Sequence, residues 1–151
     1  MLTLKVPPVV VFFFALGAQW FLHRRLPSLE FSLPGQTFLA LAVLAIAGVI
    51  GIASVWHFVK QGTTVNPHKP EHTKSLVTNG VYGISRNPMY LALAIGLAAP
   101  AVYWGNVLTL AVIPLFIWYM NIFQIKPEEA MMEEKFGREF EEYKNSVRRW
   151  I

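Results

Sequence analysis

MYLALAIGLAAPAVYWGNVLTLAVIPLFIWYMNIFQI, residues Met89–Ile125, runs for 37 residues without Asp, Glu, Lys or Arg. As one helix it would reach roughly 55 Å, at about 1.5 Å per residue. A bilayer's hydrocarbon core is only about 30 Å thick. The segment must therefore fold back on itself. The place for the bend is Pro100 to Asn106, where Tyr103, Trp104, Gly105 and Asn106 combine turn chemistry with interfacial aromatics. One helix is expected over 88–102 and a second over 106–125. Pro114 lies inside the second and should kink it, because it lacks an N–H and crowds the carbonyl of Leu110.

Two further uncharged runs lie upstream, Val6–Leu22 with 17 residues and Thr37–Val59 with 23. They would reach roughly 26 Å and 35 Å, a marginal span and one with room for tilt. The first resembles the apolar core of a signal peptide, preceded by Lys5. His23-Arg24-Arg25 follows it instead of a small-residue cleavage site, so a retained helix is expected. The second holds Gly48 and Gly51 with Ala45, Ala47 and Ala53, either as close-packing positions or as filler of a span. The chain is 54% hydrophobic, 15% charged and free of cysteine. That excludes a disordered chain, a disulfide-stapled domain and a cysteine-ligated metal protein. The expected class is all-α, an integral membrane four-helix bundle forming one domain over 1–151, with spans at 6–22, 37–59, 88–102 and 106–125.

Four spans put the N-terminus, the loop 60–87 and the tail on one side. That side holds 11 of 13 Lys and Arg residues and eight of nine acidic ones. The positive-inside rule makes it the cytoplasmic side of a plasma or inner membrane. The net charge of +4 calls for no nucleic acid; basic residues beside a membrane meet anionic headgroups. A bundle of only four spans leaves surface for a homodimer.

In the tail, Met132, Phe136, Phe140, Tyr143, Val147 and Trp150 recur at helical spacing. Glu133, Glu134, Lys135, Arg138, Glu139, Glu141, Glu142 and Lys144 form the other face. This predicts an amphipathic helix over 127–150, on the membrane face or over the bundle. Pro127 suits its first turn, Glu128 and Glu129 its positive end, and Gly137 is a point of bending.

The informative polar stretch is Gly62–Tyr90. Asn79-Gly80 signals a turn. Asn87-Pro88 before an apolar run reads as an N-cap and first helical position. The free N–H groups there, with Arg86, suit a carboxylate or phosphate; a plain helix cap with a membrane-anchoring arginine fits the same residues. His68 and His72 have metal-pair spacing, but Pro67 and Pro70 oppose a regular helix, so no metal is expected. His72 is also a candidate proton acceptor. His57 ends the second run as an interfacial residue.

Leu76-Val77-Thr78-Asn79-Gly80-Val81-Tyr82, followed by Arg86-Asn87-Pro88-Met89-Tyr90, resembles the signature of the isoprenylcysteine carboxyl methyltransferase and phospholipid methyltransferase superfamily. The tail resembles it too, through Glu128-Glu129, Phe136-Gly137, Glu139-Phe140, Tyr143, Val147 and Arg149-Trp150. The resemblance covers roughly Thr63 to the C-terminus. Asn87 stands where the pattern usually has His, and Ala92 where it often has Gly. Asn caps and hydrogen-bonds but carries no proton near neutral pH.

The resemblance implies a membrane transferase using S-adenosylmethionine, with membrane lipids and a lipophilic methyl acceptor as partners. Arg86, Asn87 and Pro88 would receive the cofactor's carboxylate, Glu128 or Glu129 its ammonium, and Tyr82 and Tyr90 its adenine or sulfonium. Arg86 and Glu129 are the expected catalytic pair. Two rival readings share the pattern: an NADPH-dependent sterol reductase-like enzyme, whose membrane domain is generally longer, and a non-catalytic interaction module.

Overall fold

The computed structural model describes residue 4 and residues 6–27, 30–60 and 76–151. His68, His72 and most of the 60–87 loop lie outside the described residues. The described residues are mostly helical, with one isolated antiparallel bridge between Glu30 and Asn106.

Helix α1 spans Pro8–Arg25 and α2 spans Gln36–Lys60. Pro8 occupies the first turn of α1, where a missing N–H costs nothing. His23, Arg24 and Arg25 lie in its last turn, beside the negative helix end. A short 3-10 turn, Gly80–Gly83, leads into α3, Pro88–Trp104. The expected bend is tighter than Pro100–Asn106: α3 continues through Pro100 to Trp104 and stops at Gly105. Gly105 is left-handed, with φ +59°, and a Cβ there would lie 2.1 Å from the Phe31 carbonyl oxygen. No other residue fits that position. Asn106 then starts α4, Val107–Met120: its Oδ1 accepts from the Leu108 N–H, and its Nδ2 donates to the Leu26 carbonyl. Pro114 is contained within α4.

The helix does not end at Ile125. A π-turn, Asn121–Ile125, carries α4 directly into α5, Lys126–Phe136. The Lys126 N–H bonds the Asn121 carbonyl. Lys126-Pro127 is thus not a boundary, and Glu128 and Glu129 do not sit at an open helix start. The expected single tail helix over 127–150 is also corrected. Gly137, with φ +49°, separates α5 from α6, Arg138–Ser146, and residues 147–151 leave the helix. Phe140 and Tyr143 are buried, so the tail packs over the bundle.

α3 is the central helix. α2 lies along it through small residues: a Cβ at Gly51 would touch Ala92 at 3.6 Å, and one at Gly96 would meet Phe12 and Ala47. A Cβ at Gly48 would meet nothing within 4 Å among the described residues, so only part of the small-residue set is a contact face there. α1 packs on α3 and α4. Gln19, fully buried on α1, ties all three by donating to the Leu97 carbonyl at 2.9 Å and the Thr109 carbonyl at 3.0 Å. Hydrogen bonds of this kind between apolar helices stabilise by about 1 kcal/mol. Tyr90, Ala94, Leu97, Phe116, Met120 and Ile125 form the core, with Phe12 and Trp150 packed against it.

Large apolar side chains point outward, including Phe14, Phe38, Ile52 and Leu115. Lipid, unlike water, solvates such a surface. Among the described residues two helices are long and apolar enough to cross a membrane, Gln36–His57 and the continuous helix Val107–Phe136. Pro88–Trp104 is apolar but shorter. The uncharged part of the long helix stops at Ile125, so Glu128 and Glu129 lie beyond it.

Candidate functional site

The site lies where the Gly80–Gly83 turn, the start of α3, α5 and the irregular C-terminal segment of residues 147–151 converge. Ser85, Arg86 and Asn87 form a short irregular link before α3. The tail satisfies its polar groups. The Arg86 N–H donates to the Arg148 carbonyl at 3.0 Å. Asn87 Nδ2 donates to the Arg149 carbonyl at 3.0 Å, and the Asn87 N–H to Ser85 Oγ at 3.1 Å. Asn87 holds the N-cap position, but its side chain makes no cap bond. Its amide is spent on the tail, which corrects the expected capping role. Pro88 follows at the first helical position, fully buried.

Arg86 is the hub. Nη1 donates to the carbonyls of Lys144 and Val147, at 3.0 and 2.6 Å, and Nη2 to Glu129 Oε1 at 2.8 Å. A guanidinium suits this task because its donors fan out in one plane. Arg149 grips the same carboxylate, with Nε 3.1 Å from Oε1 and Nη2 2.6 Å from Oε2. Burial alone would raise the Glu129 pKa; the hydrogen bonds from Arg149 and Arg86 outweigh it and hold the carboxyl below its ordinary value. Glu129 in turn pushes the Arg149 pKa up, despite partial burial. Arg86 Nε is buried with no hydrogen-bond partner among the described residues.

Glu128 points elsewhere. The Tyr90 hydroxyl donates to its Oε1. Burial pushes the Glu128 carboxyl up to about 7, against the lowering effect of the Tyr90 bond and with a further push from Glu129. Tyr82 is buried beside this pair, and its phenol is held well above its ordinary range by burial, then by Tyr143 and Glu128. The Tyr143 hydroxyl donates to the Tyr82 carbonyl at 2.7 Å, and burial pushes its own pKa up to about 12, with Arg86 opposing.

The expected residues therefore assemble as two sets. Arg86, Asn87 and Glu129 join a polar frame with the tail, and Tyr82, Tyr90 and Glu128 form a buried cluster around one carboxyl. Arg149, Tyr143 and Ser85 complete the frame without having been singled out as site residues. The Val147 and Arg149 tail element was the available signal for Arg149. Among the described residues no cluster of three metal-ligating side chains occurs.

The phospholipid methyltransferase family model matches residues 36–139. The chain belongs to the phospholipid methyltransferase family. Membership places it among methyltransferases. An "Uncharacterized protein" of Haemophilus influenzae is 44% identical over 63 residues, which are 42% of this chain and all of that protein. A "Probable protein-S-isoprenylcysteine O-methyltransferase" of Oryza sativa subsp. indica is 30% identical over 111 residues, 74% of this chain and 58% of the relative. The "Protein-S-isoprenylcysteine O-methyltransferase" of Schizosaccharomyces pombe is 31% identical over 72 residues, 48% of this chain and 30% of the relative. The chain thus spans little over half the length of the rice protein and less of the yeast one. No solved structure matches the chain. The family match covers Tyr82, Arg86, Tyr90, Glu128 and Glu129 and stops short of Arg149.

Proposed function

We propose that this member of the phospholipid methyltransferase family transfers a methyl group from S-adenosylmethionine to a lipid or lipid-like acceptor at a membrane face. The observation that carries the reading is the Tyr90–Glu128 pair inside the family-matched region: a shielded carboxyl, close to neutral, lined by tyrosines. Such a carboxyl gains most from a cationic ligand, because ionisation then costs less. Arg86 Nε, buried and without a partner among the described residues, is a donor for the cofactor's carboxylate. The residues present fit a ligand that carries both charges.

In this reading Glu128 holds the cationic end and the Tyr82 and Tyr90 rings line it. The Arg86–Glu129–Arg149 frame, which includes the expected catalytic pair, fixes the start of α3 and keeps the pocket in shape. Bound S-adenosylmethionine supplies an electrophilic methyl group on a sulfonium. The pocket contributes alignment and exclusion of water, worth several kcal/mol in a bimolecular transfer.

The proposal extends to the membrane arrangement. α1, α2, α3 and the uncharged part of the α4 helix each cross the bilayer as one domain over 1–151. Both termini and the 60–87 loop lie on the cytoplasmic side of a plasma or inner membrane. Membrane lipids, a lipophilic acceptor and a second copy of the chain are the partners.

Calorimetry on the purified full chain in detergent tests this, with S-adenosylmethionine and NADPH as probes. S-adenosylmethionine binding, followed by label transfer from its methyl group to phosphatidylethanolamine or an isoprenylated cysteine analogue, is the expected result. NADPH binding alone would move the chain to the reductases. Binding of neither by folded protein would favour a non-catalytic module.

A further inference from the structure

α2 packs chiefly on α3 and on the Gly80–Gly83 turn. Its last turn carries His57. His57 Nδ1 lies 2.9 Å from the Ala53 carbonyl of its own helix, which fixes the ring. The opposite edge of the ring presses on Gly80. A Cβ at Gly80 would lie 1.9 Å from His57 Nε2, 2.5 Å from Cε1 and 2.7 Å from Cδ2. The imidazole occupies the space where any other residue would carry a side chain. Gly80 also has φ +62°, which itself favours glycine.

The contacted turn is the one that carries Tyr82. Its bonds include Tyr82 N–H to the Asn79 carbonyl, and the Ile84 and Ser85 N–H groups to the Val81 carbonyl. From the tail side the Tyr143 hydroxyl holds the Tyr82 carbonyl. From the α2 side His57 supports Gly80. We propose that His57 is a positioning residue: wedged against Gly80, it sets the depth of Tyr82 in the pocket and couples the end of α2 to the cofactor site. The functional part of this inference rests on the reading above.

Full-length protein in detergent tests it by two measurements. In His57→Ala, amides of Val81–Ser85 should exchange with solvent about tenfold faster, while those of α3 and α4 keep their rates. S-adenosylmethionine should bind about fivefold to tenfold more weakly. His57→Asn, which keeps a donor for the Ala53 carbonyl but loses the ring edge, should behave like His57→Ala and guards against a folding failure. Gly80→Ala should weaken binding by more than about tenfold. In the double variant the collision is gone, so the two effects should fall short of their product by about fivefold or more. Exchange at Val81–Ser85 unchanged in both His57 variants, or strictly multiplicative losses in the double variant, would overturn the wedge. Absence of S-adenosylmethionine binding in the unaltered protein would instead sink the cofactor reading, and the exchange rates would still decide on His57.

Discussion

Arg86 and Glu129, 43 residues apart in the chain, meet at 2.8 Å with side chains only 10% and 13% exposed. Removing the Arg86 side chain leaves Glu129 to Arg149 alone and strips the Lys144 and Val147 carbonyls of their donor, at a cost of about 1–3 kcal/mol. Arg86→Ala should therefore lower the melting temperature, by roughly 2–4 °C per kcal/mol for a chain of this size. Arg86→Lys should recover little, since an ammonium does not reproduce the planar fork that serves Glu129, Lys144 and Val147 together. Thermal melts in detergent check both variants. A melting temperature within a degree of the unaltered protein for Arg86→Ala would contradict the frame.

Glu128 gives a pH prediction of definite sign. Its carboxyl is raised from 4.5 to about 7 in the folded protein. Its favourable contribution is fully present below the unfolded value and is lost as pH rises through about 7. The difference corresponds to at most about 3 kcal/mol. Glu129 behaves oppositely: its depressed pKa gives stability above the unfolded value, which is lost as pH falls through the folded one. Glu128→Gln should thus raise the melting temperature at pH 8 and leave it nearly unchanged at pH 5. The same variant should lose more than about tenfold in affinity for S-adenosylmethionine, about 1.4 kcal/mol. In the unaltered protein that affinity should grow as pH rises through about 7. Melts at the two pH values and titrations across them check the three statements.

Tyr143→Phe isolates one hydrogen bond. It removes the donor to the Tyr82 carbonyl while keeping the ring that packs against α6's neighbours. The expected stability loss is about 1 kcal/mol, with a larger loss if the carbonyl stays dry. S-adenosylmethionine binding should fall more than stability does, because the Tyr82 turn loses its tail-side support. Chemical denaturation compared with calorimetry separates the two. Equal losses in both would reduce Tyr143 to a packing residue.

The helix turn at Gly105-Asn106 was legible because its cause is local: an uncharged run too long for one helix, containing glycine and asparagine beside interfacial aromatics. The motif residues Arg86, Tyr90, Glu128 and Glu129 were legible through resemblance. Which carboxylate faces which partner was not, because that depends on the α5 rotation and on the tail returning along Ser85–Asn87. Asn87 shows the limit most clearly. Local rules assign its side chain to the helix start, yet the Arg149 carbonyl, 62 residues away, takes its amide instead. Gly137 marks a bend in the sequence itself, but nothing local tells that residues 147–151 leave the helix and that Val147 supplies a carbonyl to Arg86.

The π-turn Asn121–Ile125 has no sequence signature, and it determines the site. It introduces one extra residue per turn between α4 and α5, and so sets the direction of Glu128 and Glu129 relative to Tyr90. Its own polar side chains are engaged: Asn121 Oδ1 accepts from Trp150 Nε1 at 3.1 Å, and Gln124 Nε2 donates to the Val6 carbonyl at 2.6 Å. Deleting Ile122, which is only partly buried, should let the segment relax to a regular α-helix. A π-turn spreads about the rotation of four α-helical residues over five, so α5 would then keep its direction relative to α4. Glu128 would stay on Tyr90, and Glu129 on Arg86 and Arg149. The Ile122 deletion should therefore keep helical content by circular dichroism and retain S-adenosylmethionine binding. Deleting Ile122 and Phe123 together removes one residue more than the π-turn can release and should turn α5 by roughly 100° relative to α4. That variant should lose S-adenosylmethionine binding and raise the exchange rates of amides in Ser85–Asn87. Equal loss of binding in both deletion variants would mean that the π-turn does not merely absorb one extra residue.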